Sequence, residues 1–255
     1  MKILKITLLV SATLTSAMSF ADDFSFDRPG TGFGTSITPV GKLAWEQGLP
    51  TVSYTEADFK NNQTQQVTLQ GDMLFRTGLT QNTELQLGWA GPMWNKTTKN
   101  EQKHDESGLG DINIGLKHAI DLHDDRMSMA VLAQAVLATG NDGYSAHDDI
   151  YSLASSVQYK QSDLLSTGIT MRYEIQNSHL AVTAIPTLNY KISGKWSGYS
   201  EFVYRKQESE HYQSSLNTGL IYALNSNIQL DASVGAGLSG DVPDYKGGFG
   251  VSFLF

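Results

Sequence analysis

Beyond residue 40, apolar and polar positions alternate with a period of two along almost the whole chain. Ile228, Leu230, Ala232, Val234, Ala236 and Leu238 fall on one face, with Gln229, Asp231, Ser233, Gly235 and Gly237 on the other. Ile112, Ile114, Leu116, His118 and Ile120 alternate in the same way with Asp111, Asn113, Gly115 and Lys117. So do Val67, Leu69, Gly71, Met73 and Phe75 with Gln66, Thr68, Gln70 and Asp72. Further sets run from Leu165 to Ile175 and from Tyr212 to Tyr222. Neighbouring side chains of a strand point to opposite faces, so the pattern predicts half-buried β-strands. Twelve follow, at approximately 41–54, 65–76, 83–94, 108–120, 126–138, 149–160, 164–175, 180–192, 196–206, 211–224, 227–239 and 246–255.

The connections add a second regularity. Links after even-numbered strands are short, as at Gln161 to Asp163 and Asn225-Ser226. The longest links, Asn95 to Ser107 and Thr139 to Asp148, follow odd-numbered strands and are read as loops. An up-and-down meander with an even strand count, short turns at one end and long loops at the other is the layout of an outer-membrane barrel. The predicted fold is an all-β, twelve-stranded antiparallel transmembrane barrel over residues 41–255.

A soluble barrel alternates too, with its apolar face inward. Three features favour the membrane. The polar face is mostly Gln, Asn, Ser, Thr and Gly, and charged residues make up only 17% of the chain, against roughly 25% in an ordinary soluble domain. Trp45, Tyr54, Trp89, Trp94, Tyr151, Tyr159, Tyr173, Tyr190, Trp196, Tyr204, Tyr212 and Tyr222 lie near strand ends, which predicts two aromatic girdles at the headgroups. The chain closes on Phe249, Val251, Phe253 and Phe255, resembling the terminal signature read by the barrel-assembly machinery. In hydrocarbon an open sheet edge is too costly, so the first strand must pair with the last.

Residues 1–21 read as a secretory signal peptide: Lys2 and Lys5, an apolar run, then Ser19-Phe20-Ala21 before Asp22. Its removal leaves a chain more acidic than the −8 of the full sequence, which argues against nucleic acid as a partner. No Cys is present, so neither disulfides nor thiolate metal sites contribute. Residues 22–40, rich in Gly and Pro, show no periodicity; they either stay in the periplasm or enter the lumen.

Charge on the presumed inner face falls at Asp72, Glu84, Asp111, Lys117, Arg172, Glu174, Glu201, Arg205 and Asp231. These are the candidate pore-lining residues. They either fill a small barrel with salt bridges or line a path for a solute, and twelve strands lie between the filled and the open barrels.

Several short motifs carry a family resemblance. Asp27-Arg28-Pro29 and Pro39 to Leu43 are followed by Trp45, Glu46 and Gly48, then Gly108 to Asp111 leads into Gly115-Leu116-Lys117. Pro186, Leu188, Tyr190, Trp196 and Glu201 follow. Together these resemble the outer-membrane "MetA pathway of phenol degradation" family. The resemblance implies passage of small, aromatic or hydrophobic compounds across the outer membrane of a Gram-negative cell, and carries no catalytic residues.

A lipid-modifying barrel enzyme is the main rival. It needs a Ser nucleophile within reach of a His base, yet none of the six His stands two residues before a Ser, and Ser178-His179 are adjacent. No enzyme activity, cofactor or metal is expected. Asp142, His147, Asp148 and Asp149 form at most a solvated acidic loop, and Lys96, Lys99 and Lys103 a weak contact for lipopolysaccharide phosphates. The expected partners are outer-membrane lipid, lipopolysaccharide, the assembly machinery acting on the strand that ends at Phe255, and a small-molecule solute.

Overall fold

The structure, a computed structural model, describes residues 24–59 and 62–255. The signal peptide expected at residues 1–21 lies outside them. Its strands are β1 (Leu43–Phe59), β2 (Asn62–Gln70), β3 (Met73–Thr80), β4 (Thr83–Trp89), β5 (Pro92–Lys99), β6 (Gln102–Leu109), β7 (Ile112–Ile120) and β8 (Met127–Leu137). They continue as β9 (Ile150–Lys160), β10 (Leu165–Gln176), β11 (His179–Ser193), β12 (Trp196–Gln207), β13 (Gln213–Asn225), β14 (Ile228–Ser239) and β15 (Tyr245–Leu254). All belong to one antiparallel sheet, and β15 pairs back onto β1. The pairs β2/β3, β4/β5 and β6/β7 are each one crossing broken in the middle, so the closed barrel has the predicted twelve.

Closure runs from Ala44 opposite Leu254 to Tyr54 opposite Tyr245, with one register shift between Gly48 and Thr51. Below it, the Phe255 N–H donates to the Leu43 carbonyl at 2.9 Å and the Leu43 N–H to the Phe255 carbonyl at 3.3 Å. The last residue therefore finishes the seam with its backbone. Its ring and those of Phe249 and Tyr245 stand outside.

The faces are as the alternation predicts. Leu230 is 45% exposed and its neighbour Asp231 5%. Ile114, Leu116, Leu153, Ile169, Leu216 and Leu220 form part of the same exposed apolar girth. In water such a surface would drive aggregation; against acyl chains it is the appropriate coat. Aromatic side chains gather at both ends. Trp45 packs on Phe75 and Phe253, with ring centroids 6.2 and 5.7 Å away, and Trp196 on Tyr222 at 4.8 Å, all at the short-turn end. Tyr204 stacks on Tyr212 at 5.9 Å at the other end.

Two findings go beyond the expected meander. The segment Asn95 to Ser107 is not a loop. It carries β5 and β6 on as a hairpin turning at Asn100-Glu101, both at positive φ. Charge falls on both of its faces, so it lacks the alternation of a membrane crossing. It stands beyond the apolar coat, where both faces meet water. β6 pairs with β5, and its other edge meets the 139–148 loop through Leu109 and Asn141.

Second, β1 and the three broken crossings all bend at one level. β1 has a register shift between Gly48 and Thr51, and its neighbours break at Gly71-Asp72, Ala90-Gly91 and Gly110-Asp111. Backbone bonds join the bends: Gly48 N–H to the Asp72 carbonyl (2.8 Å), Gly71 to Pro92 (3.0 Å), Ala90 to Asp111 (2.9 Å) and Gly110 to Gly91 (2.9 Å). Gly91 has φ +78°, and a Cβ there would lie 1.9 Å from the Gly71 carbonyl oxygen, so only glycine fits. These bends place Asp72 and Asp111 on the inner wall at mid-height.

Candidate functional site

Inside the barrel lies the segment preceding β1. It rises from the short-turn end, turns at Arg28 to Phe33 and comes back. The Ser25 N–H and hydroxyl bond the Ser36 Oγ at 3.1 and 3.0 Å, and the Gly34 N–H donates to Asp27 Oδ1 at 2.8 Å. The returning limb meets the wall beside Gly78, which bridges to Val40. The segment therefore enters the lumen rather than lying below the barrel.

Carboxylates of the wall hold this loop largely by its backbone. Glu46 accepts the Asp27 and Arg28 N–H groups at 3.1 and 2.7 Å. Both oxygens of Glu201 lie 3.0 Å from the Thr31 N–H. Glu84 accepts the Thr38 N–H at 2.6 Å and its hydroxyl at 2.8 Å. From the donor side, the Tyr199 hydroxyl reaches the Pro29 carbonyl at 3.1 Å and Gln229 the Arg28 carbonyl at 3.1 Å. A Gly/Pro-rich segment without regular structure needs such partners, because buried backbone groups must be paired.

Ion pairs complete the attachment. Arg76, fully buried, bonds Glu84 at 2.8 Å and Glu46 at 2.9 Å, and lies 3.5 Å from Asp27. Lys117, also fully buried, lies 3.0 Å from Glu84 and 3.3 Å from Asp27. Arg28 reaches across to Asp72 at 2.9 Å and Asp231 at 3.3 Å. Its guanidinium lies over two glycines: a Cβ on Gly250 would come within 2.4 Å of Arg28 Nε, and one on Gly48 within 3.4 Å of Nη1. Phe33 is the apolar anchor, packed on Ala130, Leu132 and Ala154. The interior is thus not uniformly polar; it keeps a small greasy spot for this ring.

Among the nine charged positions read from the sequence, Asp72, Glu84, Lys117, Glu201 and Asp231 converge on the inserted loop. Asp111 instead turns to the 139–148 loop, accepting the Gly140 and Ala146 N–H groups at 2.8 and 2.7 Å. Glu174 and Arg205 pair with each other at 3.4 Å, towards the long-loop end. Arg172 makes no ion pair or hydrogen bond among the described residues, and its Nε is buried without an acceptor. The alternation could have yielded Arg76, which shares the parity of Asp72, and Glu46, which faces it. Asp27 and Arg28 carry no periodic signal and emerge only from the packing.

Among the described residues, three cavities lie against the loop. One of about 800 Å³ opens at the short-turn end, lined by Ser25, Ser36 and the 121–129 turn. A second, about 460 Å³, lies on the long-loop side above Arg28 to Phe33. A third, about 320 Å³, runs beside the loop past Thr170 and Glu201. It shares Gln158, Asn189 and Ser197 with the first, and Asp27 to Gly30 with the second. The inserted loop is the partition among them.

The histidines lie away from this interior chemistry. His104 bonds Glu106 and His118 bonds Thr83, while His123 lies beside Asp121; none of these pairs contains a serine. Asp149, from the acidic loop, accepts the Ala138 N–H and the Tyr151 hydroxyl.

A closed antiparallel sheet with an apolar, aromatic-belted exterior and charge within is a transmembrane β-barrel of the outer-membrane type. This chain belongs to the family described as "Putative MetA-pathway of phenol degradation", whose model matches residues 26–255. No curated protein matches it. Among solved structures it is similar to the COG4313 outer membrane channel from Pseudomonas putida F1, with a TM-score of 0.70 at 12% identity, covering 89% of this chain and 99% of that one. The KdgM porin gives a TM-score of 0.53 at 12% identity, over 84% of this chain and 99% of the porin. The translocator domain of the autotransporter NalP from Neisseria meningitidis gives 0.55 at 12% identity, over 90% of each chain. At such identities the likeness establishes the fold.

Proposed function

We propose that the protein is an outer-membrane channel for passive passage of small molecules, held shut at rest by its own N-terminal loop. The observation that supports this reading is the row of three cavities partitioned by residues 25–36. With the loop withdrawn, they would merge into one polar bore past Asp72, Glu84, Lys117, Glu201 and Asp231. The loop is held chiefly by hydrogen bonds and ion pairs, interactions that water can replace as it retreats. A plug sealed by a large apolar interface would not be released so readily.

Small organic solutes, aromatic ones among them, accord with the family's description. The chain is read as a non-enzyme that is exported through the periplasm of a Gram-negative cell. Its apolar girth contacts lipid, its outer hairpin meets lipopolysaccharide, and the strand ending at Phe255 is presented to the assembly machinery.

The test is solute flux in liposomes containing the full chain or a chain lacking residues 24–38. Slow swelling with the former and fast swelling with the latter is expected. If neither chain admits solute while both are folded, the barrel is structural and the channel reading falls.

A further inference from the structure

The cavity on the long-loop side, about 460 Å³, has the size of a small-molecule site. Six charged residues line it, and five are already engaged. Asp27 meets Arg76 and Lys117, Arg28 meets Asp72 and Asp231, Glu46 accepts three donors, and Asp111 holds the 139–148 loop. The sixth, Arg172, has none of these partners. Its cross-strand neighbours are Ala154 and Thr183, neither of them charged. A guanidinium whose Nε is sealed from water without an acceptor is costly unless something anionic meets it.

The rest of the lining supplies shape and apolar surface. Tyr144, brought in by the 139–148 loop, closes one side of this cavity, its hydroxyl buried beside the Asn95 backbone. Phe33, Leu132 and Val136 supply apolar wall. The cavity thus offers a free cation and a greasy surface together.

We propose that it binds an organic monocarboxylate with a ring-sized apolar body. The carboxylate bridges the Arg172 guanidinium in the two-pronged geometry that arginine favours, and the body rests on Phe33, Leu132 and Val136. The carboxylates of Glu46, Asp72 and Asp111 stand around the same space and disfavour a second negative charge, which selects a monoanion. The inference deepens the channel reading by naming the solute class.

Benzoate is the probe, with benzamide as its neutral isostere. Calorimetric titration of the folded full chain in detergent is expected to give benzoate binding about tenfold tighter than benzamide, the scale of a charge-assisted hydrogen bond. Arg172→Gln should abolish the difference, and Arg172→Lys should restore part of it. Raising ionic strength should weaken benzoate alone, a reading that needs no variant. Equal affinity for the two probes in the unaltered chain, or a preference that survives Arg172→Gln, would overturn the site. Liposome swelling separates this from the parent reading. Benzoate binding without any flux sinks the channel and leaves the site; flux without benzoate preference sinks the site and leaves the channel.

Discussion

Replacing Arg28 by Gln tests the latch that fastens the loop tip to the wall. The guanidinium serves Asp72, whose side chain is 37% exposed, and Asp231, whose side chain is fully buried. Leaving one partner of a buried ion pair alone costs about 3–5 kcal/mol, whereas an exposed pair contributes less than about 1 kcal/mol. Here solvent serves Asp72, and the loss falls mainly on Asp231, so about 2–3 kcal/mol is a fair value for the inserted state. The withdrawn state does not contain the contact and is unaffected. At 1.4 kcal/mol per tenfold, the open fraction should rise roughly 30- to 150-fold. The assay is single-channel recording in planar bilayers, counting open time. Arg28→Gln/Asp231→Asn should return part of the way, because it removes the stranded carboxylate. Gly250→Val should mimic Arg28→Gln, since a side chain there occupies the space of Arg28 Nε. Unchanged open time in both Arg28→Gln and Gly250→Val would refute the latch.

Three other outcomes follow from the same geometry. Arg76→Gln leaves the buried Glu46 and Glu84 short of their shared cation and should lower stability by about 3–5 kcal/mol, read from denaturant unfolding in lipid vesicles. Leu230→Arg places charge against acyl chains and should cost roughly 2–4 kcal/mol in the same assay, and a neutral result would reverse the assignment of faces. Deleting Phe255 removes the backbone bonds to Leu43 that finish the seam and should reduce the amount of folded barrel recovered in the outer-membrane fraction; full recovery would show the terminal residue to be dispensable.

Much of the barrel was legible because the membrane makes the strand code strict. Each crossing must show lipid one kind of side chain and the lumen another, so Leu230 and Asp231 declare their faces without any neighbour in view. The breaks at Gly71-Asp72, Ala90-Gly91 and Gly110-Asp111 were hidden for the same reason, since parity holds across the β2/β3 break. The β5–β6 hairpin was misread as a loop because both of its faces meet water, leaving no alternation to detect. The candidate site was harder. Glu84, Lys117, Glu201 and Asp231 could be placed inside, but their partners lie on a segment whose attachment runs through backbone N–H groups. A backbone donor looks the same in every sequence, so Glu46 gripping Asp27 and Arg28 leaves no local trace.

Within the described residues, both limbs of the inserted loop run towards the same mouth of the barrel, fastened to each other at Ser25 and Ser36. Withdrawal of these residues is therefore topologically free: none of them has to be threaded through the bore, and nothing is knotted by going back in. A pull from that mouth would act along the path of exit, breaking contacts one after another, and the same rungs would guide the return.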